Sequence, residues 1–554
     1  MQKLNFVHEP LFLCGLLGTA SFLALFGHRI LDPGNIAWLC HGDPVQHFLG
    51  WHYFRAQDWS FPIGLNPNFG LELSNAIVYT DSTPLLAIPL KLFSSFFPAV
   101  FQYTGFWLLA CFILQAWFGW KLTALATPCK TLCLLGAGLF VLSPPMIMRL
   151  GGHSGISGHF SLVGHFVLLA ALFLVLRPDS TTRGRSWCLL LLTTALIHAY
   201  LFAMVALLWL AGLADETRAR ALPPKAALRE LILATGIVGV VCWQAGYFAV
   251  GTGTSSEGFG FFRMNLLSLF DSNGWSWILP DIPEKKGCYE GFNYFGLGAL
   301  MLGVSALPSA VRHRAAVAVG ICRRPFFATA MLCLFVFALS HNVAIGQGQL
   351  SYALPDQLLR LANVFRSSGR MFWPVYYLLL WGVIRFAVQD RGYRLSAILL
   401  ACALLIQVVD TGPGWLPIRA KLMTEPRAQC ASPLQDPFWS EAAARYAKVR
   451  QIYPTNQPPD WAVLAMYARE HGLGTDVVYF ARMDQKALLR SRTRGAEMLQ
   501  TGCFDRDSLY ILDNEAFALA QRSVDPDRDL LTTIDGFHVL APGWKNVGVG
   551  PRSE

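Results

Sequence analysis

The sequence predicts a mainly α-helical, polytopic membrane protein of about eleven transmembrane helices with a small C-terminal soluble α/β domain. Three observations predict this class: long apolar runs, two alternating kinds of loop between them, and a change of composition near residue 411. Of the 554 residues, 54% are hydrophobic and 14% are charged. Soluble proteins carry about 25% charged residues, so this depletion favours a chain that spans a bilayer.

The apolar runs of spanning length are spaced along the first three quarters of the chain. They lie at about 11–28, 102–120, 129–146, 160–176, 187–213, 230–250, 295–311, 326–341, 371–388 and 394–410. The run 187–213 is long enough for two short helices, and we expect these to meet near "IHAY" with His198 at the turn. Segment 83–96 is short and interrupted by proline, so we expect it to be interfacial or re-entrant.

The loops between the runs are of two kinds. Short basic loops surround Lys121 and Lys130 and recur at 177–185, 215–230, 312–324 and 389–394. Longer loops rich in Gly, Asn, Asp, His and aromatic residues lie at 29–100, 146–159, 251–294 and 341–370. Because basic loops stay in the cytoplasm, the N-terminus is predicted inside, and the long polar loops and the C-terminal domain outside.

The domain organisation follows from the same pattern. Residues 1–410 form the predicted transmembrane domain, with the large outer loop at 29–100, and residues 411–554 form the soluble domain. In that domain, "FWSEAAARYAKV" and "WAVLAMYAREHG" predict amphipathic helices, and "DVVYFA", "LYIL" and "FHVLAP" predict strands. A disulfide between Cys430 and Cys503 is an open alternative if this domain lies in an oxidising compartment.

Polar residues collect in the outer loops rather than within the spans. A transporter more often places polar groups near the bilayer midplane, so this pattern favours an enzyme acting on a lipid headgroup. The chain contains no G-x-x-x-x-G-K-[ST], H-E-x-x-H or G-x-S-x-G motif, which argues against nucleotide hydrolysis and zinc-protease chemistry. The formal charge of +9 lies largely in the basic loops and does not indicate a nucleic-acid partner.

The stretch "LCHGDPVQHFLGWHYFR" at 39–55 carries the first candidate residues. Asp43 precedes Pro44, as an N-cap precedes proline at the first helical position, and Gln46 has the spacing of a capping box. Asp43 is therefore a helix cap, a catalytic base, or both. His47 and Trp51 follow at intervals of one turn, and with Arg55 they predict a polar and aromatic stripe suited to a sugar.

A second acid lies in "VYTDSTPLLAIP" at 78–89. Thr83 precedes Pro84 as the expected cap, which leaves Asp81 available for another role. Asp43 and Asp81 in one outer loop can share an acceptor hydroxyl or a divalent cation such as Mg²⁺ or Mn²⁺. No close-spaced metal motif accompanies them, so a divalent cation is the less favoured alternative and no cofactor is expected with certainty.

Three further loops carry residues suited to a phosphate or a sugar. Arginine makes forked contacts with phosphate, and aromatic rings beside a carboxylate commonly bind carbohydrate. The alternatives are solvated loop residues, an interfacial aromatic belt and snorkelling arginines. The candidate substrate-binding residues are Arg149, His153 and His159 in the first loop, Arg263, Tyr289 and Glu290 in the second, and Arg366 and Arg370 in the third.

With these residues, the chain resembles the GT-C type of glycosyltransferase, and more narrowly an uncharacterised group of bacterial multi-spanning proteins near that superfamily. The stretches that carry the resemblance are "HGDPVQHFLGWHYFR", "YTDSTPLLAIPLK", "CYEGFNYFG" and "FRSSGRMFWP", and it covers roughly residues 1–410. The chain lacks the plain Asp-x-Asp or Glu-x-Asp that this type carries in its first outer loop.

The resemblance implies an inverting enzyme of the bacterial inner membrane whose active face and C-terminal domain are periplasmic. Its implied partners are membrane lipids, a polyprenyl-phosphate sugar donor and a glycan or lipid acceptor, with no nucleic acid. Asp43 would be the base, His47 or Asp81 would orient the acceptor, and Arg149, Arg366 or Arg370 would stabilise the leaving phosphate. The alternatives are a lipid-linked glycan transporter or flippase, a polymerase or ligase that uses a lipid-diphosphate donor, and a scaffold.

Overall fold

The computed structural model describes residues 2–73, 75–151, 158–177, 182–251 and 258–545. The first helices are α1 (Gln2–Phe26), α2 (Pro44–Ala56), α3 (Pro84–Lys91), α4 (Thr104–Ala124), α5 (Lys130–Val141), α6 (Pro144–Ile147), α7 (Phe166–Leu176), α8 (Arg183–Ala195), α9 (Ala199–Arg218) and α10 (Pro224–Ala245). They are followed by α11 (Leu297–Arg312), α12 (Arg314–Arg323), α13 (Pro325–Leu339), α14 (Asp356–Ala362), α15 (Trp373–Val388), α16 (Tyr393–Asp410), α17 (Gly412–Leu422), α18 (Phe438–Arg445), α19 (Trp461–Glu470), α20 (Gln485–Thr501) and α21 (Asn514–Ser523). The strands are β1 (Asn342–Ile345), β2 (Gly348–Ser351), β3 (Lys448–Gln451), β4 (Gly474–Thr475), β5 (Ser508–Leu512), β6 (Leu530–Ile534) and β7 (Phe537–Ala541).

The predicted class, mainly helical with membrane spans and a C-terminal α/β domain, is confirmed, and the candidate spans among the described residues number six to eight where about eleven were expected. Within the described residues, six helices are long and apolar enough to cross a membrane, or up to eight if each of two bent pairs is one span. The bent pairs are Lys130–Val141 with Pro144–Leu150, and Arg314–Arg323 with Pro325–Leu339. The apolar helices Phe160–Leu176 and Leu297–Arg312 are shorter than the roughly 20 residues that a span needs.

The run 187–213 breaks where the sequence predicts. Helix α8 ends at Ala195 and α9 begins at Ala199. His198 is the N-cap of α9, and its side chain accepts a hydrogen bond from the backbone N–H of Tyr200. The histidine therefore satisfies one of the free donors at the start of the second helix.

The chain divides into two compact units. The first unit comprises Met1–Trp38, Val100–Val241 and Ser255–Ala428, and the second comprises Leu39–Ala99, Cys242–Thr254 and Gln429–Glu554. The second unit thus combines the C-terminal segment with most of the outer loop at 29–100 that the sequence analysis assigned to the transmembrane domain.

In the first unit, apolar helix faces pack in two groups. Helix α4 packs against α1, α5 and α7, while α11 packs against α15 and α16. The rings of Phe22, Phe26 and Phe112 meet edge to face, with centroids 5.3–6.0 Å apart. Aromatic pairs of this geometry add to the stabilisation from burial.

The second unit is built on a five-stranded sheet of order β4-β3-β5-β7-β6. Strands β4 and β5 both pair with β3 in parallel, whereas β7 pairs with β5 and β6 antiparallel. Helix α2 packs against α19, and the ring of Tyr53 stacks on that of Phe69 with centroids 4.8 Å apart. The outer-loop segment therefore shares a hydrophobic core with the C-terminal segment.

The second unit also contains a disulfide between Cys40 and Cys430, which are 390 residues apart in sequence. Cys503 is a free, exposed thiol. The alternative of a Cys430–Cys503 bridge is therefore wrong. The observed partner of Cys430 is Cys40, at the start of the outer-loop segment. The two cysteines are far apart along the chain, so local spacing could not indicate their pairing.

Most predicted elements of the C-terminal segment are present. Helices α18 and α19 and strands β5 and β7 lie where their patterns predict. "DVVYFA" is not a strand: β4 ends at Thr475, and the carboxylate of Asp476 accepts a hydrogen bond from the backbone N–H of Gln451 instead. Segment 83–96 contains the eight-residue helix α3, which is too short to span a membrane.

Candidate functional site

The two catalytic candidates His47 and Asp81 lie together in the second unit. The Nδ1 atom of His47 is 2.6 Å from the backbone carbonyl oxygen of Asp81, and Nε2 is 3.2 Å from its carboxylate. Both ring nitrogens thus face oxygen atoms of one residue. The histidine is buried, so the pair fixes the turn at Asp81 against helix α2.

The turn that carries Asp81 has an unusual backbone. Asp81 and Thr83 have positive φ angles of 55° and 44°, a conformation that is rare for a β-branched residue such as threonine. The Ser82 hydroxyl donates to the backbone carbonyl of His47 over 2.8 Å. At Gly50, a Cβ atom would collide with the side chains of this turn. Strained backbone held by tight packing is common at functional sites.

Asp43 precedes helix α2 but does not cap it. It lies at the N-cap position, and its side chain makes no capping hydrogen bond. The capping-box interpretation of Gln46 is also wrong, because its side-chain amide donates instead to the backbone carbonyl of Tyr479 over 2.7 Å. Likewise, the side chain of Thr83 makes no capping bond to α3. The half-buried Asp43 carboxylate is therefore not used to start the helix.

Trp51 and Arg55 form an inward-facing part of the second unit. The Trp51 side chain is buried, and the Arg55 guanidinium lies 5.7 Å from its ring centroid. Arg55 donates to the backbone carbonyls of Ser94, Phe97 and Pro98 over 2.9–3.3 Å. These contacts hold the segment after α3. Trp51 and Arg55, which were expected to bind a sugar, therefore contact other parts of the protein.

Arg149, Glu290 and Arg370 form an ionic cluster inside the first unit. Arg149 Nη1 lies 2.7 Å from Glu290 Oε2, and Arg370 binds the same carboxylate through Nε and Nη2 over 2.8 and 2.7 Å. All three side chains are buried. Although burial opposes ionisation, the two guanidinium groups hold the pKa of the Glu290 carboxyl well below its usual range.

Three backbone segments meet beside this cluster. The backbone N–H of Gly369 donates to the carbonyl of Phe262 over 3.0 Å. A Cβ atom at Gly369 would collide with Gly291, and one at Gly291 would collide with the backbone of Arg263. These close approaches, which glycine alone permits, bring together the predicted residues of the second and third loops.

A basic cavity of about 930 Å³ adjoins these segments in the first unit. Its lining carries four cationic side chains and no carboxylate. The lining residues are Gly258, Phe259, Gly260, Phe261, Phe262, Arg263, Lys285, Lys286, His341, Asn342, Gln349, Leu359, Asn363 and Arg366. Only Arg263 and Arg366 among them are predicted site residues, and the structure brings these two together across about 100 residues of sequence.

The two arginines of the basic cavity are held differently. Arg263 is buried and donates to the backbone carbonyl of Gly260 over 2.7 Å and to Gln349 Oε1 over 3.2 Å. Arg366 is half-buried, with its guanidinium 5.7 Å from the ring centroid of Phe262. Burial, followed by the charge of Arg263, lowers the pKa of His341, so this histidine adds no charge near neutral pH.

The basic cavity also contains four residues that were not predicted from the sequence: Lys285, Lys286, His341 and Gln349. The pair "KK" at 285–286 lies in a predicted outer loop, against the positive-inside bias. Arg366 goes against the same bias in another predicted outer loop, and this signal could have identified the lysines. The hairpin β1–β2, which supplies Gln349, has no such signal in its sequence.

The remaining candidates lie around the same region or outside the described residues. The backbone N–H of His159 donates to the carbonyl of Arg149 over 2.9 Å. Tyr289 is 46% exposed, and its ring meets that of Phe262 edge to face. His153 lies outside the described residues.

A divalent cation finds no preformed site in the described parts of the chain. Among those residues, no group of three or more His, Cys, Asp or Glu side chains is arranged to hold a metal ion. His47 and Asp81, two of the candidate residues, contact each other directly.

Comparisons with known proteins give a family but no characterised relative. The family described as "Domain of unknown function (DUF6311)" matches residues 15–412, and the "DUF6311 C-terminal domain" matches residues 438–542. No curated protein matches the chain. Among solved structures, the Archaeoglobus fulgidus oligosaccharyltransferase in complex with zinc and sulfate is similar, with 11% identity and a TM-score of 0.39, over 98% of this chain and 74% of that one.

Proposed function

The chain belongs to the DUF6311 family, and we propose that it is an integral membrane glycosyltransferase of the GT-C type. In this proposal it moves a sugar from a polyprenyl-phosphate donor to a glycan or lipid acceptor at the outer face of the bacterial inner membrane. The observation that carries the proposal is the basic cavity, where four cations and no carboxylate line a volume of about 930 Å³.

The chemistry of the basic cavity suits a lipid-linked phosphate. Arg366 and Arg263 offer guanidinium groups, which bind phosphate oxygens with charge-assisted hydrogen bonds. The aromatic rings of Phe259, Phe261 and Phe262 offer apolar surface beside these cations. Cavities of about 300–1,000 Å³ are typical of small-molecule sites, and this one lies near the upper limit. As the bond to the sugar breaks, the leaving phosphate gains charge that these cations would stabilise.

In the proposed transfer reaction, Asp43 is the general base. A base must remove a proton from the acceptor hydroxyl as that oxygen attacks the anomeric carbon, and a half-buried carboxylate in the outer-loop segment is a group of the right chemistry for this task. His47 and Asp81 are proposed to position the acceptor through the strained turn that they hold. The donor carbon–oxygen bond breaks as the new one forms, so no covalent enzyme intermediate is needed.

The disulfide supports the proposed location. Disulfides persist in oxidising compartments such as the periplasm, and the Cys40–Cys430 bridge lies within the second unit. We therefore propose that the second unit is periplasmic and that the short basic loops face the cytoplasm.

The experiment is a transfer assay with the purified protein in nanodiscs, polyprenyl-phosphate sugars and a panel of envelope glycan and lipid acceptors. We expect Arg366→Gln to raise the KM for the donor about tenfold or more, since hydrogen bonds to charged groups contribute about 1.5–3 kcal/mol. Arg360→Gln is the matched control, because Arg360 is exposed on α14 and does not line the cavity. Equal donor KM values for the two variants would contradict the proposed donor site.

A further inference from the structure

The second unit contains a small cavity of about 280 Å³ that the proposed reaction does not use. It is lined by residues of β3 and β5, by the segments that follow β3 and β4, and by one face of α20. Its charged lining residues are Glu72, Arg450, Asp476, Arg490 and Arg494.

The sheet topology explains why a cavity forms at this place. Strand β3 is the first of the parallel strands, and β4 and β5 lie on its two opposite sides. The chain therefore leaves β3 toward one side of the sheet and later returns to the other. In open parallel sheets, such a change of direction leaves a crevice at the carboxyl ends of the strands, where ligands bind.

The cavity lining carries more cations than carboxylates. Arg450 is 8% exposed and forms a bidentate pair with Glu72, with distances of 2.7 and 3.0 Å. Its Nε atom is buried and has no hydrogen-bond partner among the described residues. Arg494 is held by Asp505 over 2.9 Å, whereas Arg490 lines the cavity and is exposed to solvent.

Asp476 reduces this positive charge only in its ionised form. Its carboxylate accepts the backbone N–H of Gln451 over 2.7 Å and lies 4.0 Å from Arg450. Burial raises the pKa of Asp476 to about 7, against the opposing effects of the Gln451 hydrogen bond and of Arg450. In molecules whose Asp476 is protonated, Glu72 is therefore the only charged carboxylate among the lining residues, and of the three lining arginines Arg494 is also bound by Asp505.

We propose that this cavity binds a small anionic ligand about the size of one sugar, through a carboxylate or phosphate group held by Arg450 and Arg490. Ser491 and Gln451 line the same cavity and offer hydrogen bonds to the hydroxyl groups of such a ligand. The cavity volume lies just below the usual range for small-molecule sites, which excludes a long chain. Uronic acids and sugar phosphates both have this chemistry. The inference does not depend on the proposed transfer reaction.

The test is isothermal titration calorimetry of the full chain in detergent with four probes: glucuronate, glucose 1-phosphate, inorganic phosphate and glucose. We expect saturable binding of at least one anionic sugar and none of glucose. Preference for glucuronate would identify a carboxylate ligand, and preference for glucose 1-phosphate a phosphate ligand. Binding of glucuronate, which stays ionised over this range, should be tighter at pH 6 than at pH 8, because protonation of Asp476 removes a negative charge that faces Glu72, Arg450, Arg490 and Arg494.

Matched variants distinguish a specific binding site from nonspecific attraction of anions to a positively charged surface. Arg490→Gln should weaken binding about tenfold or more, whereas Arg492→Gln, on the same helix but outside the lining, should leave it unchanged. Ala487→Leu would place a larger side chain in the cavity and should abolish binding. The proposal is overturned if no anionic sugar binds, or if Arg490→Gln and Arg492→Gln weaken binding equally.

Discussion

The ionic cluster and the basic cavity lie in the same unit and share neighbouring backbone segments, yet their charges are arranged in opposite ways. In the ionic cluster, Arg149 and Arg370 are buried around one carboxylate. In the basic cavity, four cations line a space without any carboxylate. In the first arrangement one protein carboxylate binds both guanidinium groups, whereas in the second no lining residue supplies a carboxylate. Although Arg366 and Arg370 are one helical turn apart in sequence, Arg366 lines the basic cavity and Arg370 belongs to the ionic cluster.

The largest expected effect is on the ionic cluster. Glu290→Gln leaves two buried guanidinium groups without a counter-charge, and removing one partner of a buried ion pair costs about 3–5 kcal/mol. We expect a large fall in the unfolding temperature of the purified protein. Asp281→Asn, an exposed acid of the same loop, is the control and should change stability little. Equal unfolding temperatures for the two variants would show that the cluster is not structural.

The same cluster predicts a pH dependence. Because the folded pKa of Glu290 lies below its unfolded value of about 4.3, its stabilisation is present above that value and is lost as pH falls through the folded pKa. We expect the unfolding temperature of the native chain to fall in acid more steeply than that of Glu290→Gln. Parallel pH profiles would contradict an ionised Glu290.

The smallest effect is expected at the exposed lysines of the basic cavity. Lys285 and Lys286 are exposed, so their charges would attract the donor phosphate through water. Single charge interactions through water are weak and are screened by salt. Replacing both by glutamine should raise the donor KM only a few-fold at low ionic strength, and the difference should vanish at about 1 M salt. The larger effect of Arg366→Gln should persist in salt. If both effects disappear together, the cavity acts only as a diffuse positive surface.

Local sequence patterns predicted what depends on local structure. The start of α2 at Pro44, the break at His198 and most elements of the C-terminal segment follow from periodicity, capping and proline. The functions of single side chains depended on distant contacts. Asp43 and Gln46 have the spacing of a capping box, but Gln46 binds a carbonyl more than 400 residues away.

The roles of the candidate site residues also depend on contacts between residues that are distant in sequence. Arginines at 149 and 370 were recognisable as unusual, but their shared partner Glu290 is separated from them by 141 and 80 residues. Cys40 and Cys430 are likewise joined across 390 residues. No local pattern encodes such distances, so the sequence identified polar candidates but could not separate those bound to a protein carboxylate from those that line a cavity without one.

The most direct test of the proposed function is the rate of sugar transfer by the native chain and by Asp43→Asn, measured by mass spectrometry of the acceptor with a polyprenyl-phosphate donor. Because asparagine has nearly the same size and shape as aspartate and can still make hydrogen bonds, the variant should keep its unfolding temperature and donor KM. Its kcat should fall about 10²–10⁴-fold, as expected for loss of a general base. Undiminished kcat in Asp43→Asn would contradict the assignment of the base, and the absence of transfer by the folded native chain from every such donor would contradict the proposed function.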